Sequence, residues 1–233
     1  MPQDTNYDTF AEAYSAENET SLLNGFYERP AMLELAGDVS NHRILDAGCG
    51  SGPLAAALHD RGAQVTGFDS SEAMIRLARE RLGAGADLLT ADLARPLPFA
   101  DDSFDDVVAS LVFHYLEDWV GPLEEIRRVL RPEGRLIMSV NHPILYPWTH
   151  PGTDYFVPAR YSDEHTFNGQ SATLTYWHRP LHAMTDAFAA AGFRIETVSE
   201  PPYSTDAPPE IIPPQFTGRT SFLSFVFFVL RAQ

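Results

Sequence analysis

Apolar and polar positions alternate along the chain in two rhythms. Strand-length apolar runs lead into acidic or small polar residues: Ile44-Leu45 into Asp46, Gln64 to Phe68 into Asp69, Ala86 to Leu93 around Asp92, and Val107 to Ala109 into Ser110. A fifth run, Arg135 to Val140, leads into Asn141 and His142. Between these runs the apolar residues take helical spacing, as in Leu54 to Leu58, in Met74, Ile75, Leu77, Ala78 and Leu82, and in Leu123, Ile126, Val129 and Leu130. Strands alternating with helices predict an open α/β sheet whose ligand site lies at the carboxyl ends of the strands.

The ends and the middle depart from that rhythm. Residues 5 to 37 predict two helices, one with Tyr7, Phe10, Ala11 and Tyr14 on a face, the other with Leu22, Leu23, Phe26, Ala31, Leu33 and Leu35, and Pro30 is expected to kink or restart the second. Residues 144 to 178 are rich in Pro, Tyr, Trp and His and contain one short strand pattern, Thr173 to Trp177. An excursion of that length exceeds what a connection needs and predicts a substrate lid. His178-Arg179-Pro180-Leu181 is expected to open a helix that ends at Gly192, followed by a strand at Ile195 to Val198 and a last strand at Phe222 to Leu230.

The turn after the first strand, Asp46-Ala47-Gly48-Cys49-Gly50-Ser51-Gly52-Pro53, is the centre of the pattern. Glycines let the backbone turn sharply and approach a ligand, and Pro53 suits the first turn of a helix. The dinucleotide fingerprint Gly-x-Gly-x-x-Gly fails here, because its third glycine falls on Pro53. This disfavours an NAD-dependent oxidoreductase, the rival enzyme class. Asp69 stands 19 residues after Gly50, where such folds bind ribose hydroxyls through a carboxylate.

Composition narrows the chemistry. A net charge of −16 over 233 residues argues against nucleic acid or an anionic membrane as a partner. All 16 cationic side chains are Arg, so a P-loop lysine, a Schiff base and a pyridoxal-phosphate site are excluded. One cysteine, Cys49, permits neither an intrachain disulfide nor a Cys-cluster zinc site. The start, Met1-Pro2-Gln3-Asp4, is not a signal peptide, and no apolar run reaches membrane-spanning length, so a cytoplasmic protein is expected.

The acidic-x-Gly-x-Gly-x-Gly turn, Asp69, Asp92, the loop Pro96 to Asp105 and the stretch Val129 to Val140 together resemble the class I S-adenosylmethionine (SAM)-dependent methyltransferases, small-molecule type, in the ubiquinone/menaquinone-biosynthesis-like branch. The resemblance covers nearly the whole chain. It implies a Rossmann-like three-layer sandwich with a seven-stranded, mostly parallel sheet, the last strand antiparallel between the fifth and sixth. It further implies one domain over 1–233, with an N-terminal helical cap (1–41), a SAM-binding core (42–143), a substrate lid (144–178) and a C-terminal part of the sheet (179–233). The cofactor positions it implies are Tyr14, Asp46, Gly48, Cys49, Gly50, Asp69, Ser70, Met74, Asp92, Leu93, Ser110 and Leu111. In that assignment Tyr14 reaches the methionine end, Met74 flanks the adenine, and Asp92 with the Leu93 N–H reads the adenine edge. Tyr27-Glu28-Arg29-Pro30-Ala31 also recurs in the family, without a role.

SAM carries a sulfonium and an ammonium and no phosphate, so acidic surroundings suit it. The expected reaction is methyl transfer to a small molecule, with oxygen or nitrogen acceptors favoured and S-adenosylhomocysteine as coproduct. A hydroxyl acceptor benefits from a general base, and His114, His142 and His178 are the candidates. Each is also explained as a hydrogen-bonded wall residue. The His178/His182 spacing spans a helix start containing Arg179 and Pro180, so no metal site is expected. A SAM-binding module without turnover is the non-enzyme alternative. Oligomeric state is not legible.

Overall fold

The computed structural model describes residues 5–233; the Met1 to Asp4 start lies outside the described residues. A seven-stranded sheet runs β3 (Asp87–Thr90), β2 (Gln64–Asp69), β1 (Arg43–Ala47), β4 (Phe104–Ser110), β5 (Leu130–Asn141), β9 (Phe225–Ala232), β8 (Phe193–Ser199). β1 to β5 pair in parallel, and β9 lies antiparallel between β5 and β8 as the resemblance implied.

Side-chain alternation divides the sheet between two helical layers. Leu45, Val107, Ala109, Leu136, Met138 and Phe228 face α5 (Val120–Val129) and α7 (Leu181–Ala190), which bring Leu123, Ile126 and Phe188. Ile44, Val108, Ile137, Phe227 and Val229 face α2 (Arg29–Ala36) and α3 (Pro53–Asp60), which bring Ala31, Met32, Leu54 and Leu58. Ile44, Leu58, Leu136 and Ile137 are fully buried, each contributing about 1.5–3 kcal/mol of transfer free energy. A third, smaller core packs α4 (Glu72–Leu82) on the β2–β3 side through Ile75, Ala78 and Leu88.

The cap differs in detail from its prediction. Tyr7–Thr9 is a 3-10 turn, α1 spans Ala11–Thr20, and the second helix enters α2 through a π turn at Asn24–Glu28 that places Pro30 in the first turn of α2. Gly25 permits the crossing of α1, because a Cβ there would sit 2.6 Å from the Glu19 carbonyl oxygen. The segment 144–178 is more regular than a loop: α6 (Leu145–Thr149) precedes a hairpin of β6 (Ala159–Phe167) and β7 (Gln170–His178) in full register. Asn168 and Gly169, at φ 47° and 83°, form its two-residue turn. His178 therefore ends β7 and does not open α7, which starts at Leu181 after Arg179-Pro180.

Candidate functional site

A cavity opens at the carboxyl ends of β1, β2 and β4, and every cofactor candidate lines it: Tyr14, Asp46, Gly48, Cys49, Gly50, Asp69, Ser70, Met74, Asp92, Leu93, Ser110 and Leu111. The strand order arranges the polar ones in a row, Asp92 after β3, Asp69 at the end of β2, Asp46 on β1 and Ser110 on β4. Gly48 and Gly50 of the glycine turn take positive φ, each with a different consequence. Gly48 has φ 77°, and a Cβ on it would lie 2.7 Å from Val112 Cγ2. Gly50 has φ 54°, yet a Cβ there would meet no protein atom within 4 Å, so its open side faces room for a ligand. Leu111, at φ 51°, is a strained non-glycine residue where β4 leaves the sheet; such strain costs about 1–3 kcal/mol and gathers at functional sites.

Hydrogen bonds fix this frame. Asp69 Oδ2 accepts from the Gly50 N–H at 2.9 Å and its Oδ1 from the Ser71 N–H at 2.9 Å, which ties the glycine turn to the start of α4. Ser71, rather than Ser70, caps that helix by accepting from the Met74 N–H at 3.1 Å. Asp8 accepts from the Ser71 hydroxyl at 2.5 Å and the Ala73 N–H at 3.1 Å, and the Ser15 hydroxyl donates to Ser51 at 2.8 Å. The hairpin closes over this cap: the Thr175 N–H donates to Thr5, Gln170 Nε2 to the Thr9 carbonyl, and Phe10 stacks on Phe167 at 5.7 Å.

The electrostatics are acidic and buried. Both carboxyl oxygens of Asp46 are buried without a hydrogen-bond partner. Burial first, then the charges of Glu28 and Asp69, push its carboxyl up to about 8. Glu28 and Asp69 are also raised, chiefly by burial. A cluster of carboxyls that cannot all ionise alone is the environment a cation relieves. Among the described residues Arg29 is the one cationic side chain on the cavity wall; it donates to Asn18 Oδ1 at 2.7 Å and to the Asn18 carbonyl at 3.1 Å. The wall is completed by Tyr7 and Tyr115, whose hydroxyls meet at 2.5 Å, by Asn24 and by Leu116. Cys49 is buried with its thiol held well above the usual range by burial, so it stays a neutral thiol.

Glu28, Arg29, Asn18, Asn24 and Tyr115 join the site without having been singled out from sequence spacing. Glu28 accepts from the Ser110 hydroxyl at 2.7 Å and the Ser139 hydroxyl at 2.6 Å, partners 82 and 111 residues away. The recurrent Tyr27-Glu28-Arg29 element was the signal for two of them.

None of the three candidate histidines is among the residues lining the cavity. His114 lies in the 3-10 turn after β4 with Nδ1 accepting from the Asn141 N–H at 3.2 Å, and burial lowers its imidazole to about 3, so it is neutral. His142 Nδ1 accepts from the Ile144 N–H at 3.2 Å and Nε2 meets Glu200 at 2.7 Å, which occupies both ring nitrogens. His178 donates from Nε2 to the Tyr155 carbonyl at 2.8 Å and stacks on Tyr146 at 4.8 Å. The lid aromatics Tyr146 and Tyr155 pack around His178, with Tyr161 against Tyr146, whereas Trp148 and Phe156 are each 68% exposed. Among the described residues no group of three His, Cys, Asp or Glu could hold a metal ion.

Residues 45–138 match the family model described as a methyltransferase domain. The chain is 31% identical over 199 residues to the ubiquinone/menaquinone biosynthesis C-methyltransferase UbiE of Desulfotalea psychrophila, covering 80% of each chain. It is 36% identical over 157 residues to a demethylmenaquinone methyltransferase of Clavibacter sepedonicus, covering 66% of this chain and 63% of that one. Among solved structures, an S-adenosylmethionine dependent methyltransferase from Mesorhizobium loti matches with a TM-score of 0.65 and 28% identity, over 87% of this chain and 96% of that one.

Proposed function

The chain belongs to the class I SAM-dependent methyltransferases of the ubiquinone/menaquinone-biosynthesis type, with SAM as cofactor and S-adenosylhomocysteine as coproduct, and from that premise we propose that it methylates a carbon of a small, electron-rich aromatic acceptor of the quinol class. The carbon acceptor is supported by the relative matched over 80% of its length, whose name specifies C-methylation. It replaces the preference for oxygen or nitrogen, which rested on general acid–base chemistry alone. Tyr7, Tyr14 and Tyr115 on the wall suit a planar aromatic guest.

Bound SAM supplies an electrophilic methyl on a cationic sulfur. The protein's residues hold its parts in the order the sheet sets. Asp92 and the Leu93 N–H take the adenine edge, Asp69 the ribose hydroxyls, and Asp46 the ammonium end. Arg29, a cation on the wall, suits the carboxylate. The partnerless oxygens of Asp46 and the open side of Gly50 fit such a cationic guest. Holding the acceptor in line with the methyl is an orientation effect worth up to about 7–11 kcal/mol. The hairpin and cap, pinned together through Thr5, Thr9 and Phe10, act as the lid that keeps water out. His114, His142 and His178 serve this reading as wall residues, since two rings have Nδ1 occupied by a backbone N–H and the third is fixed by Tyr155.

The test is transfer of labelled methyl from SAM to 1,4-naphthohydroquinone, with NMR locating the new methyl. A ring-carbon product is expected; a methyl found on oxygen, or no transfer, removes the quinol reading.

A further inference from the structure

Three neighbouring strands change character on the same face, β4 and β5 at the same level and β1 one side-chain repeat earlier. Ile44 gives way to Asp46 on β1, Val108 to Ser110 on β4 and Ile137 to Ser139 on β5, with Asp46 in register with Val108, and Ser110 with Ser139. The apolar members belong to the core under α2 and α3, so the polar members form a pad where that core ends. Glu28, 4% exposed, reaches the pad from the π turn and also lines the cavity. A π turn interrupts a helix and recurs at functional sites. Here it lets Tyr27 point into the core, where its hydroxyl donates to the Phe225 carbonyl, while the next residue serves the cavity.

Both serine hydroxyls donate to the same oxygen of Glu28, Oε1. An oxygen accepting two donors is the unprotonated one, so a proton on this carboxyl resides on Oε2. Along the sheet edge, β3, β2, β1 and β4 carry the positions assigned to adenine, ribose and the methionine end, and β5 is the next strand. Glu28 bridges β4 and β5, and so stands at the methyl end of that row.

Resting on the quinol reading for its acceptor, we infer that Glu28 is the general base: Oε2 takes the hydroxyl proton of the acceptor as the ring carbon conjugated to that oxygen attacks the methyl. The new bond is carbon to methyl, and the broken carbon–sulfur bond leaves its electron pair on sulfur. Glu28 then returns its proton to the acceptor oxygen as the methylated carbon releases its own to solvent, so one proton leaves per turnover. Burial raises this carboxyl above its usual range, while the serine donors and the neighbouring Arg29 favour its ionised form. The other groups facing it are Asp46 and Tyr14, through whose pKa values its charge is felt.

Two measurements test this. The first is 13C NMR of the protein labelled at glutamate Cδ, in complex with S-adenosylhomocysteine. The resonance missing from Glu28→Gln should titrate above the exposed glutamates, and titration together with them overturns the assignment. The second is methyl transfer to 1,4-naphthohydroquinone across pH. Glu28→Gln, which keeps an oxygen for both serines, should retain SAM affinity within about tenfold, lose at least 100-fold in kcat and lose the acidic limb of the profile. Ser139→Ala, which removes one of the two donors to Oε1, should move that limb to higher pH, and an unmoved limb counts against Glu28 as its source. An unchanged rate and limb in Glu28→Gln overturns the base role. If the unaltered protein leaves the hydroquinone unmethylated while the Glu28 resonance titrates high, the quinol reading fails and the Glu28 assignment stands.

Discussion

SAM binding should expel a proton from Asp46. With its carboxyl raised to about 8, Asp46 is about nine-tenths protonated at pH 7 in the free protein. SAM carries sulfonium, ammonium and carboxylate, a net charge of about +1, and favours the ionised form of the carboxyl it meets. Affinity should then rise up to tenfold per pH unit between pH 6 and 8 and level off above. The free protein shows the opposite sign. A carboxyl raised from 3.8 to about 8 on folding binds more protons folded than unfolded, so stability falls as pH climbs through that window. The full loss is about 6 kcal/mol if Asp46 titrates independently of Glu28 and Asp69. Isothermal titration at pH 7 in buffers of different ionisation heat counts the protons, and thermal melting from pH 5 to 9 reads the stability. Close to one proton should leave per SAM, fewer per S-adenosylhomocysteine, which lacks the sulfonium charge, and fewer still in Asp46→Asn. Equal release in Asp46→Asn, or none in the unaltered protein, refutes the reasoning.

Other outcomes follow from single contacts. Gly48→Ala places a Cβ 2.7 Å from Val112 at φ 77° and should cost about 1–3 kcal/mol in urea unfolding, with SAM binding lost. Arg29→Gln removes the cation on the wall and should weaken SAM about 10- to 100-fold by calorimetry, an effect that salt reduces. Ser71→Ala deletes the cap of α4 and should destabilise by about 1 kcal/mol in the same unfolding assay. Gly169→Ala strains the hairpin turn at φ 83° and should speed hydrogen exchange at β6 and β7 before it alters the main sheet.

How much of this was legible depends on whether a residue's role is written locally. Gly48, Gly50, Asp69 and Asp92 are: a glycine turn and an acidic strand end mark themselves as candidates through their immediate neighbours, and the structure sets them around one cavity. The hairpin was written just as locally in Asn168-Gly169, a two-residue turn signal between alternating runs, but it was masked by the Pro- and aromatic-rich composition around it. The register of β6 with β7 and their docking on Thr5, Thr9 and Phe10 had no such local mark. Histidines illustrate the converse error. His114 and His142 do follow adjacent strands, but proximity along the chain says nothing of where a ring nitrogen points, and backbone N–H groups occupy Nδ1 in both.

Glu28 is the clearest case of a residue whose local mark, the recurrent Tyr27-Glu28-Arg29 element, carries no role. Within its own segment, a glutamate in a helix beside an arginine reads as a solvated pair. Its meaning arises only when the cap lies on the sheet and brings it to Ser110 and Ser139, themselves unremarkable members of apolar strands. An isolated buried carboxylate is costly enough that a fold keeps one only where donors or a ligand compensate. Two hydroxyls satisfy one oxygen of Glu28, and nothing satisfies either oxygen of Asp46 among the described residues. The uncompensated part of that cost is the free energy a cationic guest recovers on binding. The same carboxyls that destabilise the fold as pH rises should therefore favour a sulfonium over the neutral thioether that remains after transfer, a difference that calorimetry with the two ligands measures directly.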